Sequence, residues 1–341
     1  MRAALPRHSP TSESTSTLRK VSTLNEVYSA LSMRRRYEVW FVRLALADGS
    51  GAWWFRYLLM NPGRGGCEGN PSGLPVQVWA TWFPHEAKPQ SFIREFPLEG
   101  LDLSPRGQNP FHLRVARNEI DENSCRGDLA VNGHQISWDL RYQSTFRATM
   151  SNKGWIGFSR SPHSDAIFSG RITLDGRHFE AGPLGFGVQG HNCGYRHRSF
   201  WIWTHVFFAR PDGHPPSTLE ALMYEMPFGL VFRKAVLWHD RTQYVFRTLQ
   251  STIENDTTFS WKFRGLTKAG IQLGAEIEGN GLNVHSLPYL KTNCSGTFKV
   301  LNNSLSRAKV LLQMQGGRAG TLQTETGAVL EIAGGDYQAR L

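Results

Sequence analysis

From Tyr37 onward the chain alternates apolar and polar residues with period two, or gathers apolar residues into short solid runs, a pattern of strands rather than helices. Residues 37–47 and 52–60 are aromatic-rich runs on either side of Asp48-Gly49-Ser50-Gly51, whose residues tolerate positive φ. Together they predict a β-hairpin. Further strands are predicted at 76–83, 111–116, 128–131, 135–147, 166–174 and 178–179, with Asn132-Gly133 and Asp175-Gly176 as hairpin turns. A second series covers 200–209, a Pro211-Asp212-Gly213 turn, 219–226, 230–238, 244–249, 258–264, 270–277, 296–302, 308–315 and 328–333. Short strands at regular spacing predict a sandwich or barrel. About sixteen strands exceed one eight-stranded barrel, whose interior holds at most one small ligand, so two tandem units fit the count.

Ahead of the strands, residues 1–20 are rich in Ser, Thr, Pro and Arg and read as a mobile tail, while 24–31 has apolar spacing for one or two helical turns. The expected organisation is a disordered basic leader at 1–36, a first barrel at 37–188 and a second at 189–341. The length of 341 residues agrees with two domains. Hydrophobic residues make up 40% and charged residues only 19%, which excludes global disorder.

The net charge of +10 raises nucleic acid or an anionic membrane as partners. Half of that excess lies in residues 1–36, where seven cations face two anions, and the body carries no zinc-finger, basic-zipper or RNA-binding signature. No nucleic-acid partner is expected, and peripheral membrane contact stays open. Cys67, Cys125, Cys193 and Cys294 form no C-x-x-C pair, so zinc held by cysteine is not expected. No apolar signal segment follows Met1 and no run approaches the ~20 residues that span a bilayer, so a cytoplasmic, reducing location is expected.

The most unusual stretch is 185–205, where four glycines and the polar run His191, Asn192, Tyr195, Arg196 and His197 lead into a strand. In that strand Trp201, Trp203, His205 and Phe207 share one face. A histidine among tryptophans could contact a flat or polyene-like ligand and move a proton; the bland alternative for His205 is a core histidine bonded to backbone. His191, His197 and His205 fit neither a helical nor a strand metal-ligand spacing, so no metal is expected. In Met223-Tyr224-Glu225-Met226 a carboxylate interrupts an apolar strand, where burial could make it a general acid or where it could simply face water. Glu38, Glu276 and Glu331 are similar cases, with Glu38 placed to pair with Arg56 across the first hairpin. No G-x-S-x-G elbow or dinucleotide fingerprint supports hydrolase or nucleotide chemistry.

Several segments in order resemble the superfamily of carotenoid 1,2-hydratase (hydroxyneurosporene synthase), tocopherol cyclase and related lipocalin-like proteins. They are Tyr37-Glu38-x-Trp40-Phe41, Trp54-Phe55-Arg56-Tyr57, Gly170-Arg171-Ile172-x-x-Asp175-Gly176, Gly190-His191-Asn192-Cys193-Gly194 and Trp201-x-Trp203. The resemblance implies an all-β fold of two tandem lipocalin-like (calycin-type) antiparallel barrels. It also implies protonation of a carbon–carbon double bond by a carboxylic acid, with the cation captured by water or an internal hydroxyl. Against the family's Asp-His-Asn-Trp-Gly motif, His191, Asn192 and Gly194 match, whereas Gly190 stands at the acid position and Cys193 at the aromatic one.

The expected function is therefore acid-catalysed hydration, cyclisation or isomerisation of an apolar isoprenoid or polyketide-like molecule inside a barrel, without a cofactor. His191 and Asn192 would orient the reacting group or a water, His205 or Glu225 would move the proton, and Tyr195, Trp201, Trp203 and Tyr224 would line the cavity. A non-catalytic carrier of a hydrophobic ligand, and an interaction protein docking through its basic leader, are the alternatives.

Overall fold

The first hairpin forms where the sequence places it: Gly49 takes the left-handed φ of 73° that the turn needs, and the Asp48 carboxylate accepts the Ser50 N–H at 2.9 Å. The computed structural model describes residues 24–28, 36–61, 75–108, 110–153, 157–210, 214–254, 259–293, 295–314 and 319–334. The Pro211-Asp212-Gly213 turn, Cys67, Cys294 and the leader apart from 24–28 and Arg36 lie outside the described residues. Among the described residues no helix is long and apolar enough to cross a membrane.

The chain is all-β. Its first strands are β1 (Arg36–Leu46), β2 (Gly51–Asn61), β3 (Val76–Pro84), β4 (Gln90–Phe96), β5 (Leu101–Leu103) and β6 (His112–Val115). There follow β7 (Asn118–Asp121), β8 (Ser124–Val131), β9 (His134–Gln143), β10 (Ala148–Lys153), β11 (Gly157–Leu174) and β12 (Arg177–Gly194). Then come β13 (Trp201–Phe208), β14 (Ser217–Glu225), β15 (Val231–His239), β16 (Thr242–Phe246) and β17 (Thr248–Glu254). The last are β18 (Phe259–Leu266), β19 (Gln272–Gly279), β20 (His285–Leu290), β21 (Thr297–Gln313) and β22 (Ala319–Ala333). Strands β1–β12 form one antiparallel sheet in the order 4-3-2-1-12-11-9-8-7-6-5, with β10 on β11. Strands β13–β22 form a second in the order 16-15-14-13-22-21-19-18-17, with β20 on β21. The Asn132-Gly133 and Asp175-Gly176 turns take positive φ at both residues, as hairpin loops of two residues require.

Each sheet curls around its own core, giving two lipocalin-like units in tandem. In the first, alternate residues Trp40, Val42, Trp53, Phe55, Tyr57, Trp82 and Trp138 point inward and pack into one cluster. In the second, Ile202, Val206, Leu219, Trp261, Phe263 and Leu330 do the same. The opposite faces of β1, β2 and β12 meet those of β13, β14 and β22 in a third buried layer containing Phe41, Trp54, Val188, Trp203, Leu222 and Val329. Arg43 lies in this layer and donates to main-chain oxygens of the second sheet: Nη1 to Gly327 at 3.1 Å, and Nη2 to Ala328 at 2.9 Å, to Thr326 and to Ser304.

Bulky aromatics point into both interiors, as they can in units of this size, and the cavity expected inside a barrel lies instead between the sheets. The glycine-rich stretch is not a loop before a strand but part of an 18-residue strand, β12. A Cβ at Gly187 would stand 1.9 Å from the Arg43 carbonyl oxygen, so glycine there permits close approach of β1 and β12. The passage between sheets comes after Gly194, later than the expected 188/189 boundary, because β12 completes the first sheet. Residues 24–28 are turn and bend rather than helix. Nor is this segment a free tail: Val27 is buried in the first core, and the Asn25 carbonyl accepts the Trp40 indole N–H at 3.1 Å. Strands β4, β5, β7, β10 and β20 and most of β17 were not anticipated; their alternation is short or mixed with charge.

Candidate active site

An aromatic-walled cavity lies between the two sheets. It has a volume of about 130 Å³ and is walled by Tyr37, Phe41, Trp54 and Arg56 from the first hairpin and by Asn192 from β12. Facing them are Trp201 and Trp203 of β13, Leu222 and Tyr224 of β14, Tyr289 of β20 and Glu331 of β22. Arg196, His197 and Arg198, from the crossing between the sheets, also line it, as do Ser151 of β10 and Phe158 and Ser159 of β11. Aromatic edges and faces fix the walls: Phe41 meets Trp203 edge-on at 5.7 Å and Trp54 at 6.0 Å.

Glu331 is the only carboxyl in that lining and is 6% exposed. Its neighbours Leu330 and Ile332 point into the second core, so strand alternation turns Glu331 into the inter-sheet layer. Its Oε1 accepts the Trp201 indole N–H at 2.8 Å, and its Oε2 meets the Tyr289 hydroxyl at 2.7 Å and the Asn302 amide at 3.5 Å. Burial raises its pKa above the usual carboxylate range, against the opposing pull of Arg56 and of these hydrogen bonds. An indole N–H can only donate, so in the neutral acid Oε1 is the carbonyl oxygen and the proton sits on Oε2, beside Tyr289. The site thus holds a buried carboxyl, biased by burial toward its neutral form, within a largely aromatic chamber.

Around this carboxyl the titratable rings are biased toward neutrality. Burial and the nearby Arg56 charge depress His197 to about 3, so its imidazole, stacked on Tyr37 at 4.1 Å, is neutral. Burial pushes the Tyr37 and Tyr289 phenols up. The Arg56 guanidinium lies over the Tyr289 ring at 4.0 Å and the Trp79 ring at 4.5 Å. A second buried carboxyl, Glu220, accepts from the Trp203 indole N–H at 3.0 Å and from Ser161 Oγ at 2.9 Å. It stands behind Trp203, outside the lining, and steadies that ring.

Of the residues singled out in the sequence, Asn192, Trp201, Trp203 and Tyr224 converge on the cavity, and the other four do not. His191 points into the first sheet's interior, where Nδ1 donates to the Leu24 carbonyl at 2.8 Å and Nε2 meets Glu38 Oε1 at 2.8 Å. That same Oε1 accepts the Tyr28 N–H at 2.8 Å, so the pair anchors the 24–28 segment. Glu38 therefore does not pair with Arg56: Glu38 sits opposite Leu59 and Arg56 opposite Phe41, on opposite faces of the hairpin. His205 shares the Trp203 face as expected but is bonded through Nε2 to the Ser164 carbonyl at 2.7 Å, and burial depresses it to about 3. Glu225 accepts from Ser199 Oγ at 2.6 Å, and Tyr195 packs under the Arg36 guanidinium at 4.0 Å.

Gly190, at the acid position of the motif the sequence resembles, opposes Phe41, and a Cβ there would fall 2.1 Å from that ring. Phe41 thus occupies the space an acidic side chain would need. Glu331 was visible only as one carboxylate among several in apolar strands; Arg56, His197, Tyr37 and Tyr289 carried no sequence signal that placed them together.

No protein-family model matches the chain. No curated protein matches it in sequence. Among solved structures, kievitone hydratase from Nectria haematococca aligns over 93% of this chain and 95% of its own, with TM-score 0.55 and 12% identity. The structure of CghA aligns over 88% of each chain, with TM-score 0.56 and 8% identity. At these identities the likeness is one of fold.

Proposed function

We propose that the inter-sheet cavity catalyses acid-initiated addition to, or rearrangement of, a carbon–carbon double bond: hydration, cyclisation or isomerisation of an apolar small molecule. The observation that carries this reading is Glu331, a buried carboxyl with neutral hydrogen-bond donors and a raised pKa, in a chamber walled by indole rings. Kievitone hydratase, an enzyme named for water addition, shares the fold, which supports the reaction class but not the substrate. An isoprenoid or polyketide-like molecule is the substrate class we favour, since about half of the wall is aromatic or aliphatic.

In the first step the proton on Glu331 Oε2 passes to one alkene carbon as the π pair forms the new C–H bond, leaving a cation on the neighbouring carbon. The faces of Trp203, Trp54 and Trp201 stabilise that charge; a desolvated cation–π contact contributes about 2 kcal/mol. Water or an internal hydroxyl then adds its lone pair to the cation and its proton returns to the Glu331 carboxylate; in isomerisation a carbon-bound proton returns instead. Asn192, whose Oδ1 has no hydrogen-bond partner, is placed to orient the incoming water.

All three outcomes take a proton from the acid, so reaction in deuterated water should leave one deuterium on carbon. The test is mass spectrometry of prenylated phenols and acyclic isoprenoid alkenes incubated with the protein in that solvent. Turnover with Glu331→Gln reduced by at least ~100-fold is expected, a general acid contributing roughly that or more. Undiminished turnover in the Gln variant would exclude Glu331 as the acid. Binding with release of undeuterated compound would indicate a carrier.

A further inference from the structure

Two arginines are buried in the layer between the sheets, each with an Nε that has no hydrogen-bond partner, and they differ in what their terminal nitrogens meet. Arg43 reaches four main-chain carbonyls of the second sheet through its terminal nitrogens. Arg56 is 4% exposed, yet its Nε and Nη1 have no hydrogen-bond partner. Ring faces of Tyr289 and Trp79 cushion the guanidinium plane but satisfy none of its in-plane N–H groups. Glu331, the one carboxyl in the cavity, is engaged by Trp201, Tyr289 and Asn302, and forms no ion pair with Arg56 among the described residues. Beside Arg56 on the same face of β2, Trp54 is also buried with its indole N–H unpartnered, its ring 5.6 Å from the guanidinium carbon. Both line the cavity. A buried, permanently charged group with unmet donors costs several kcal/mol unless an anion meets it.

We propose that Arg56 and Trp54 form an oxyanion subsite, so that the molecule bound in this cavity is apolar but carries one planar, delocalised oxyanion, a carboxylate or the enolate of a 1,3-dicarbonyl. The proposal rests on the inter-sheet cavity being the substrate site and not on Glu331 being the acid. Its chemistry follows from the donors. A guanidinium edge presents two N–H groups in one plane, which suits two coplanar oxygens, and the indole N–H supplies a third contact on that side. Arg196 and Arg198 line the same cavity, so its cations exceed its carboxyls and favour an anionic guest. The Tyr289 ring sets the spacing: its face lies under Arg56 while its hydroxyl touches Glu331. The Glu331 carboxyl then lies about one ring length from the oxyanion.

Calorimetric titration of the full chain with 2-naphthoate, its methyl ester and its amide tests the subsite without a known substrate. The expected result is tighter binding of the carboxylate than of either neutral analogue by roughly tenfold, as one charge-assisted hydrogen-bonded contact supplies. Dimedone enolate against 3,3-dimethylcyclohexanone forms the second arm; the arm with the larger preference identifies which oxyanion the subsite suits. In Arg56→Met the preference should vanish while neutral analogues bind as before, and Arg56→Lys should retain part of it. Equal binding of charged and neutral probes by the unaltered protein, in both arms, overturns the subsite; so does a preference that survives in a folded Arg56→Met. No binding of any probe overturns the cavity reading and the subsite with it. Loss of the anion preference with deuterium incorporation still dependent on Glu331 would overturn the subsite alone.

Discussion

Replacing Arg43 with methionine should loosen the joint between the two sheets on which the cavity depends. The side chain is fully buried, and burial alone depresses its pKa to about 9, a measure of how strongly the interior disfavours the charge. Opposing that cost are donations to the carbonyls of Ser304, Thr326, Gly327 and Ala328, where β21 and β22 lose regular register. Methionine keeps much of the aliphatic length but leaves those oxygens without that donor, and each buried acceptor left unsatisfied costs ~1–3 kcal/mol. Against a total stability of about 5–15 kcal/mol this is a large fraction. Urea unfolding followed by tryptophan fluorescence should show a midpoint lowered accordingly, with a broadened or split transition because each sheet keeps its own core. A loss below about 1 kcal/mol with one sharp transition would refute the reasoning. It would mean that the hydrogen bonds only offset the desolvation of the guanidinium.

Gly187→Ala should destabilise the fold by several kcal/mol, measured by thermal unfolding, because its Cβ would meet the β1 backbone rather than a movable side chain. His191→Ala should lower the unfolding temperature, yet leave deuterium incorporation per folded molecule unchanged, since His191 ties Leu24 and Glu38 together outside the cavity. Glu122, raised to about 7 chiefly by burial, accepts from Asn25 at 3.1 Å. A carboxyl with a raised folded pKa contributes stability that is fully present below its unfolded value near 4 and lost as pH rises through about 7. Denaturant titrations across that window should show this decline, and Glu122→Gln should flatten it.

How far the sequence foretells this molecule depends on what sets each feature. Strand turns carry local chemistry, so the hairpin around Gly49 and the Asn132-Gly133 and Asp175-Gly176 turns are legible from residue type alone. The face shared by Trp201, Trp203 and His205 follows from strand parity, and it is indeed one face. Parity does not say whether that face looks into a barrel or toward a neighbouring sheet, and here it looks outward to the neighbour. Beta12 was hidden because glycines that usually mark a loop serve instead to let two strands approach. The expected Glu38–Arg56 pair fails by parity: once the turn fixes Phe41 opposite Arg56, Glu38 must face the other way. The meeting of Glu331, Tyr289, Trp201 and Arg56 joins strands far apart in sequence, and no local pattern encodes it.

The claim beneath the proposed chemistry is that Glu331 holds its proton at neutral pH before any substrate arrives. Infrared difference spectra between the unaltered protein and Glu331→Gln, recorded at pH 7, read that directly, and the subtraction removes Glu220 and Glu122, whose carboxyls are also raised. A protonated-carboxyl C=O band present in the first and missing from the second is the predicted result. A difference confined to the carboxylate stretching bands would show an ionised Glu331 and contradict the account.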